Sequence, residues 1–102
     1  MKGPWINMRV VVINPGQPAE ICEVGSDLAS LQALVGGYIE HIFIEGDIGF
    51  LINEEGKNMG LPPNRVRYCG DILVGTVVVV KTCGEEFCSL TEAEAEDFRG
   101  RF

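Results

Sequence analysis

Positive charge is scarce in this chain. Lys and Arg total 8 against 15 Asp and Glu, for a formal net charge of -7. That balance opposes the phosphate neutralisation on which nucleic-acid affinity depends, so duplex DNA or RNA is not the expected partner. The acids are scattered along the chain, which fits a solvated surface better than a single nucleic-acid-mimicking run. Long apolar runs are missing too: none approaches the ~18 residues needed to span a bilayer. The first residues, MKGPWINM, have no apolar stretch or small-residue cleavage site of the kind a signal peptide carries, and a cytoplasmic protein is expected. Histidine occurs once, as His41, in an expected strand where an ordinary packed or surface role fits better than catalysis. The four cysteines, Cys22, Cys69, Cys83 and Cys88, form no CxxC pair. Without an export signal they are expected to be reduced thiols, not disulfides or a zinc knuckle. No G-x-G-x-x-G joins a strand to a helix, so a dinucleotide fingerprint is absent. There are no internal repeats, linkers or low-complexity segments.

The chain does hold enough apolar sequence for one core. Its 102 residues, 46% of them hydrophobic, fit a single domain. A core of this size cannot enclose a drug-sized cavity of roughly 300 to 1,000 Å³ without losing packing, so any pocket belongs in a surface groove or between protomers.

The expected fold class is α+β: a mostly antiparallel sheet of about five strands, one core-packed helix and a short acidic C-terminal helix. Residues 1–7 read as an N-terminal extension carrying Trp5, and 8–102 as the domain. Met8 to Asn14, MRVVVIN, is a β-branched run closed by the turn signal Pro15-Gly16, with Ala19 to Val24 as its hairpin partner. Ser26 is placed to cap a helix bearing Leu28, Leu31, Leu34 and Val35 at helical spacing, which Gly36-Gly37 stops. Tyr38 to Ile44 and Asp47 to Asn53, split by Glu45-Gly46, make a second hairpin. Leu61 to Arg65, with Pro62 and Pro63, predicts a stiff lead into a short helical turn. Asp71 to Lys81, DILVGTVVVVK, reads as one central strand covered on both faces. Thr91 and Glu94 form a capping box, with Leu90 set to staple onto Ala95 at the head of an acidic surface helix anchored by Phe98 and Phe102.

Against this background one segment stands apart. From Gly56 to Gly70 there are Lys57, Arg65 and Arg67 and no Asp or Glu. Arginine forks and a lysine suit a phosphate, while Asn53 and Asn64 suit a base or ribose hydroxyl. Tyr38 is suited to stacking on a nucleobase. Glu55 and Thr76 complete the candidate ligand-binding set, Thr76 because Gly75 before it permits close backbone approach. The bland alternative is that Arg65 pairs with Glu55 or Asp71, that both asparagines satisfy turn backbones, and that Tyr38 is a half-buried strand residue.

The blocks LQALVGGYIE (31–40), NEEGK (53–57), GLPPNR (60–65), GDILVGTVVVV (70–80) and SLTEAEAEDF (89–98), in that order, resemble a family of small proteins of long-unassigned function encoded mainly by bacteriophages and other mobile elements. The resemblance covers most of the chain from Met8. It implies a cytoplasmic accessory protein, acting in the host cell if phage-encoded, that blunts host defence. It carries no catalytic residues to transfer. Together with the charge pattern it points to a non-enzymatic binder, with no cofactor or metal, that sequesters a small anionic nucleotide-type signal as a homodimer. The alternatives are an inhibitor that binds a host defence protein through an acidic or nucleic-acid-mimicking face such as residues 92–99, and a hydrolase of the same signal using Glu55 or His41.

Overall fold

The computed structural model describes residues 7–102, so the Trp5 arm lies outside the described residues. Eight strands and two helices follow one another as β1 (Asn7–Ile13), β2 (Glu20–Gly25), α1 (Leu28–Val35), β3 (Ile39–Glu45), β4 (Ile48–Asn53), β5 (Pro63–Tyr68), β6 (Asp71–Val74), β7 (Val77–Cys83), β8 (Glu86–Cys88) and α2 (Glu92–Arg101). The class is α+β, with one antiparallel sheet in the order β2-β1-β7-β4-β3. The short β8 adds to β7. Lys81 already faces Ile48 of β4 on one side, so its pairing with Cys88 puts β8 on the β1 side. A separate two-stranded hairpin, β5-β6, packs over the sheet.

The period-2 pattern of the central strands explains the layers. Val10 and Val12 of β1, Leu51 of β4, and Val78 and Val80 of β7 bury one face under Leu31 and Val35 of α1. Val11, Ile13, Phe50, Ile52, Val77 and Val79 bury the other under Ala95 and Phe98 of α2 and Val66 and Leu73 of the hairpin. Both faces of β7 are thus covered, as its run of valines requires.

Three expectations are corrected here. The strand count is eight instead of about five, because Asp71 to Lys81 is split in two and Pro63–Tyr68 and Glu86–Cys88 are strands as well. The backbone breaks at Gly75, whose φ is +75°, and a Cβ there would stand 2.8 Å from the Leu61 Cδ1 methyl. The residues before the break pair with β5 and those after it enter the main sheet. Second, Pro63 to Arg65 extends into β5 instead of a helical turn, because pairing with β6 and burial of Asn64 and Val66 favour the extended form. Third, Cys83 and Cys88 are bonded, with Cα atoms 5.9 Å apart, while Cys22 and Cys69 are free. The β7-β8 register sets Cys83 opposite Glu86, two residues from Cys88, which brings the two sulfurs within reach across the hairpin.

Both expected helices form. The N-cap of α1 is Asp27, one residue beyond Ser26, and its carboxylate accepts from Ser30 N–H. Leu28 stays exposed, whereas Leu31 and Val35 are buried. At α2 the capping box forms in full, with Thr91 Oγ1 accepting from Glu94 N–H and Glu94 Oε1 accepting from Thr91 N–H. Leu90 and Ala95 are both fully buried in the same cluster. The helix is more deeply seated than an acidic surface helix: Phe98 is 1% exposed, and Phe102 meets the Phe50 ring edge-on at 6.1 Å.

Phe98→Ala should lower the unfolding free energy by about 3–5 kcal/mol in urea denaturation, the usual cost of emptying a buried aromatic site. Thr91 N–H, and then Lys81, hold the Glu94 carboxyl below its ordinary value of 4.5. A depressed pKa adds stability above the unfolded value and loses it as pH falls through the folded one. Glu94→Gln should therefore be less stable than the parent at pH 7, by about 1 kcal/mol or less for a pair this near to solvent. That gap should close on acidification below about 4.5, an effect visible in denaturation curves taken across pH.

Candidate functional site

The hairpin β5-β6 and helix α2 share one face of the sheet, and between the hairpin and the edge strand β3 that face is left open. The result is a groove of about 600 Å³. Its apolar base is Ile42, Ile52, Leu73 and Val74. Glu40 and Glu54 rise on the β3-β4 side, and Tyr68 and Asp71 on the hairpin side, with Lys57 and Asn58 from the turn after β4 between them. The volume falls in the range of small-molecule sites.

The turn that supplies Lys57 is built from Asn53. This side chain is 4% exposed; its Nδ2 donates to the Val35 carbonyl at 3.1 Å and its Oδ1 accepts from Glu55 N–H at 2.8 Å. One amide thus satisfies the open end of α1 and starts the next turn. Gly37 leaves it room, since a Cβ there would lie 2.9 Å from the Asn53 Nδ2. Gly56 N–H then returns to the Asn53 carbonyl, and a Cβ on Gly56 would press on Val74 at 2.9 Å. On the other wall Asn64 is 5% exposed; its Nδ2 donates to the carbonyls of Ile13 and Gly75, both at 2.9 Å, and its Oδ1 accepts from Val66 N–H. It locks the hairpin to the end of β1.

These bonds decide the fate of the candidate residues. Asn53 and Asn64 are buried anchors and do not present their amides to a ligand. Thr76 donates to Asn14 Oδ1 at 2.7 Å, joining the starts of β7 and the loop after β1, away from the groove. Arg65 and Arg67 are exposed and alternate with the buried Asn64 and Val66, so they lie on the outer side of the hairpin and do not converge with Lys57. The internal pair expected for Arg65 is taken by Lys57, whose Nζ meets Asp71 Oδ1 at 2.6 Å. Glu55 accepts from Asn58 Nδ2 at 2.8 Å. Tyr38 is 71% exposed at the head of β3, outside the groove lining. Of the expected set, Lys57 lines the groove and Asn53 shapes its wall.

Glu40, Asn58, Tyr68, Asp71 and the base residues were missed. The alternation in NRVRY offered one signal, since it sets Tyr68 on the same side as Asn64 and Val66. The Cys69 side chain pushes the Tyr68 phenol above its ordinary value of 10. The lining carries Glu40, Glu54 and Asp71 against Lys57, so an anion entering here meets one cation that already holds a carboxylate.

A family model described as a domain of unknown function, DUF3846, matches residues 8–102. The chain belongs to the DUF3846 family. No curated protein and no solved structure matches it. For this DUF3846 protein the groove, positioned by two buried asparagines, is the concave feature best suited to a ligand. Among the described residues no helix is long and apolar enough to cross a membrane.

Asn64→Ala should cost about 1–3 kcal/mol or more of stability, because it strands two buried carbonyls and an N–H. Arg65→Ala, on the exposed outer side, should leave the urea midpoint within the range typical of surface changes, about 0.5 kcal/mol.

Proposed function

We propose that this DUF3846 protein is a non-catalytic binder that holds a small nucleotide-type ligand in the groove between β3 and the β5-β6 hairpin. The observation that carries the proposal is an open apolar base beside a tyrosine and a lysine, on a chain of 102 residues. Ile42 and Val74, partly exposed above the buried Ile52 and Leu73, offer a surface for one face of a nucleobase, with Tyr68 at its edge as a hydrogen-bond donor. Lys57 meets an anionic group by exchanging its Asp71 partner for the ligand. That exchange favours binding over turnover, since the surrounding carboxylates have no partnered base or nucleophile of the kind hydrolysis needs. In the setting implied by the sequence resemblance, such a protein is a phage or mobile-element accessory factor that sequesters an immune signal in the host cytoplasm.

The structure gives less support to the two alternative roles. An acidic decoy surface on α2 has less free charge than its composition suggests: Glu94 faces Lys81, Glu96 faces Arg99, and Asp97 faces Arg101. For a hydrolase, His41 is turned against Gly49, burial lowers its pKa, and its Nε2 has no hydrogen-bond partner among the described residues.

The test is a thermal-shift panel of linear and cyclic mono- and dinucleotides. A ligand at about 100 times its Kd adds roughly 2.7 kcal/mol and a clear rise in Tm. Tyr68→Ala and Lys57→Ala should each weaken binding at least about tenfold, Arg65→Ala should not, and ligand released by denaturation should have unchanged mass. No shift with any nucleotide rules this reading out.

A further inference from the structure

The main sheet has two edges. One is β2 and the other β3. Among the described residues no strand pairs with the outer side of β3, and the phase of its hydrogen bonds can be read. Glu54 donates its N–H to the Tyr38 carbonyl at 2.9 Å. With Ile39 opposite Asn53 and His41 opposite Leu51, Glu40 and Ile42 therefore bond to β4. Ile39, His41 and Phe43 turn their N–H and C=O groups outward. The same edge carries Phe43 at 60% exposure and Tyr38 at 71%. An unpaired strand with exposed aromatics is a template for another strand.

We propose that two copies of the chain pair antiparallel through β3 about a two-fold axis at His41, continuing the sheet from one copy into the other. A two-fold interface must be complementary to itself, and this register is. Ile39 falls opposite Phe43 of the second copy, an aromatic and β-branched pair of the favoured kind. Glu40 falls opposite Ile42 of the second copy, so no carboxylates face each other. An axis at Glu40 would set two carboxylates directly opposite and is disfavoured. The bulge between Phe43 and Glu45 ends the regular edge, so the stretch from Ile39 to Phe43 pairs in full about His41. The occupant is a second copy because the edge complements its own sequence in this register.

The groove runs along this same edge, with His41 and Phe43 in its lining. Pairing through β3 closes its open side with the second copy and brings two grooves together at the axis. The pairing does not rest on the ligand reading: a dimer can form whatever the groove holds.

The experiment uses the full chain in sedimentation equilibrium. The expected mass is twice the 11.1 kDa chain, falling to 11.1 kDa in Phe43→Lys and in His41→Pro. Proline at 41 removes an N–H that points out of the sheet, so the β3-β4 ladder is kept; a cooperative melt confirms that each variant is folded. For register, hydrogen-bonded pairs bring Cα atoms to about 5.5 Å, within disulfide reach. His41→Cys in a Cys22→Ser, Cys69→Ser background should therefore cross-link to itself on oxidation, and Ile39→Cys in that background should not. A mass of 11.1 kDa at the highest concentration, a dimer that survives both folded edge variants, or cross-linking of Ile39→Cys in place of His41→Cys overturns the proposal. Loss of nucleotide binding with the dimer intact overturns the ligand reading alone.

Discussion

The valines of β7 set the terms for the whole molecule. Val77 to Val80 are all fully buried, two on each face. A strand with that composition is stable only with cover on both sides, so the chain must supply two layers from 102 residues. On one face α1 suffices, through Leu31 and Val35. On the other the work is divided between α2, which lies over β1 and β2, and the β5-β6 hairpin, which lies against β4. The end of α2 reaches the far end of β3, where Arg101 Nη1 meets Glu45 Oε1 at 3.0 Å, but the first part of β3, from Glu40 to Phe43, lines an open groove. The groove is the consequence, a strip of apolar sheet that two separate covers leave between the hairpin and the edge.

Holding such a divided cover in place falls to polar groups. Asn53 and Asn64 are the buried polar side chains among the described residues, and each bonds backbone atoms from more than one segment. A buried amide is costly unless its donors and acceptor are satisfied. Because both are satisfied here, they fix the walls of the groove instead of reaching into it. Asparagines that looked like ligand contacts in the sequence are the reason the groove has a defined shape. The price of the Gly75 break is likewise local: a positive φ and a close Leu61 methyl turn the hairpin over the sheet.

Local signals in the chain proved readable where the physics is local. The capping box of Thr91 and Glu94, the leucines of α1 with Gly36 behind them, and the β1-β2 and β3-β4 hairpins depend on residues within a few positions of one another. The division of Asp71 to Lys81 into β6 and β7 was not readable in this way. Apolar content reports burial, and both pieces are apolar; only the partners of each piece tell them apart. The site was harder still, since Glu40, Lys57, Tyr68 and Asp71 come from four segments and meet only because the hairpin folds back. The positive segment around Lys57, Arg65 and Arg67 dissolves for the same reason. Strand alternation sends the arginines outward, and Lys57 finds Asp71 across the hairpin mouth.

By itself the sequence determined the α+β class, the two helices with the capping box of the second, the twice-covered valine strand and the membership of residues 8–102 in one family domain. These follow from periodicity and short-range hydrogen bonding, which a linear reading contains. The tertiary structure alone decided which polar residues are anchors and which line the groove, that Cys83 and Cys88 are bonded, and that β3 is an edge strand of the sheet. Those outcomes rest on which strands pair and which faces are covered, and that information appears only when distant segments compete for the same sheet.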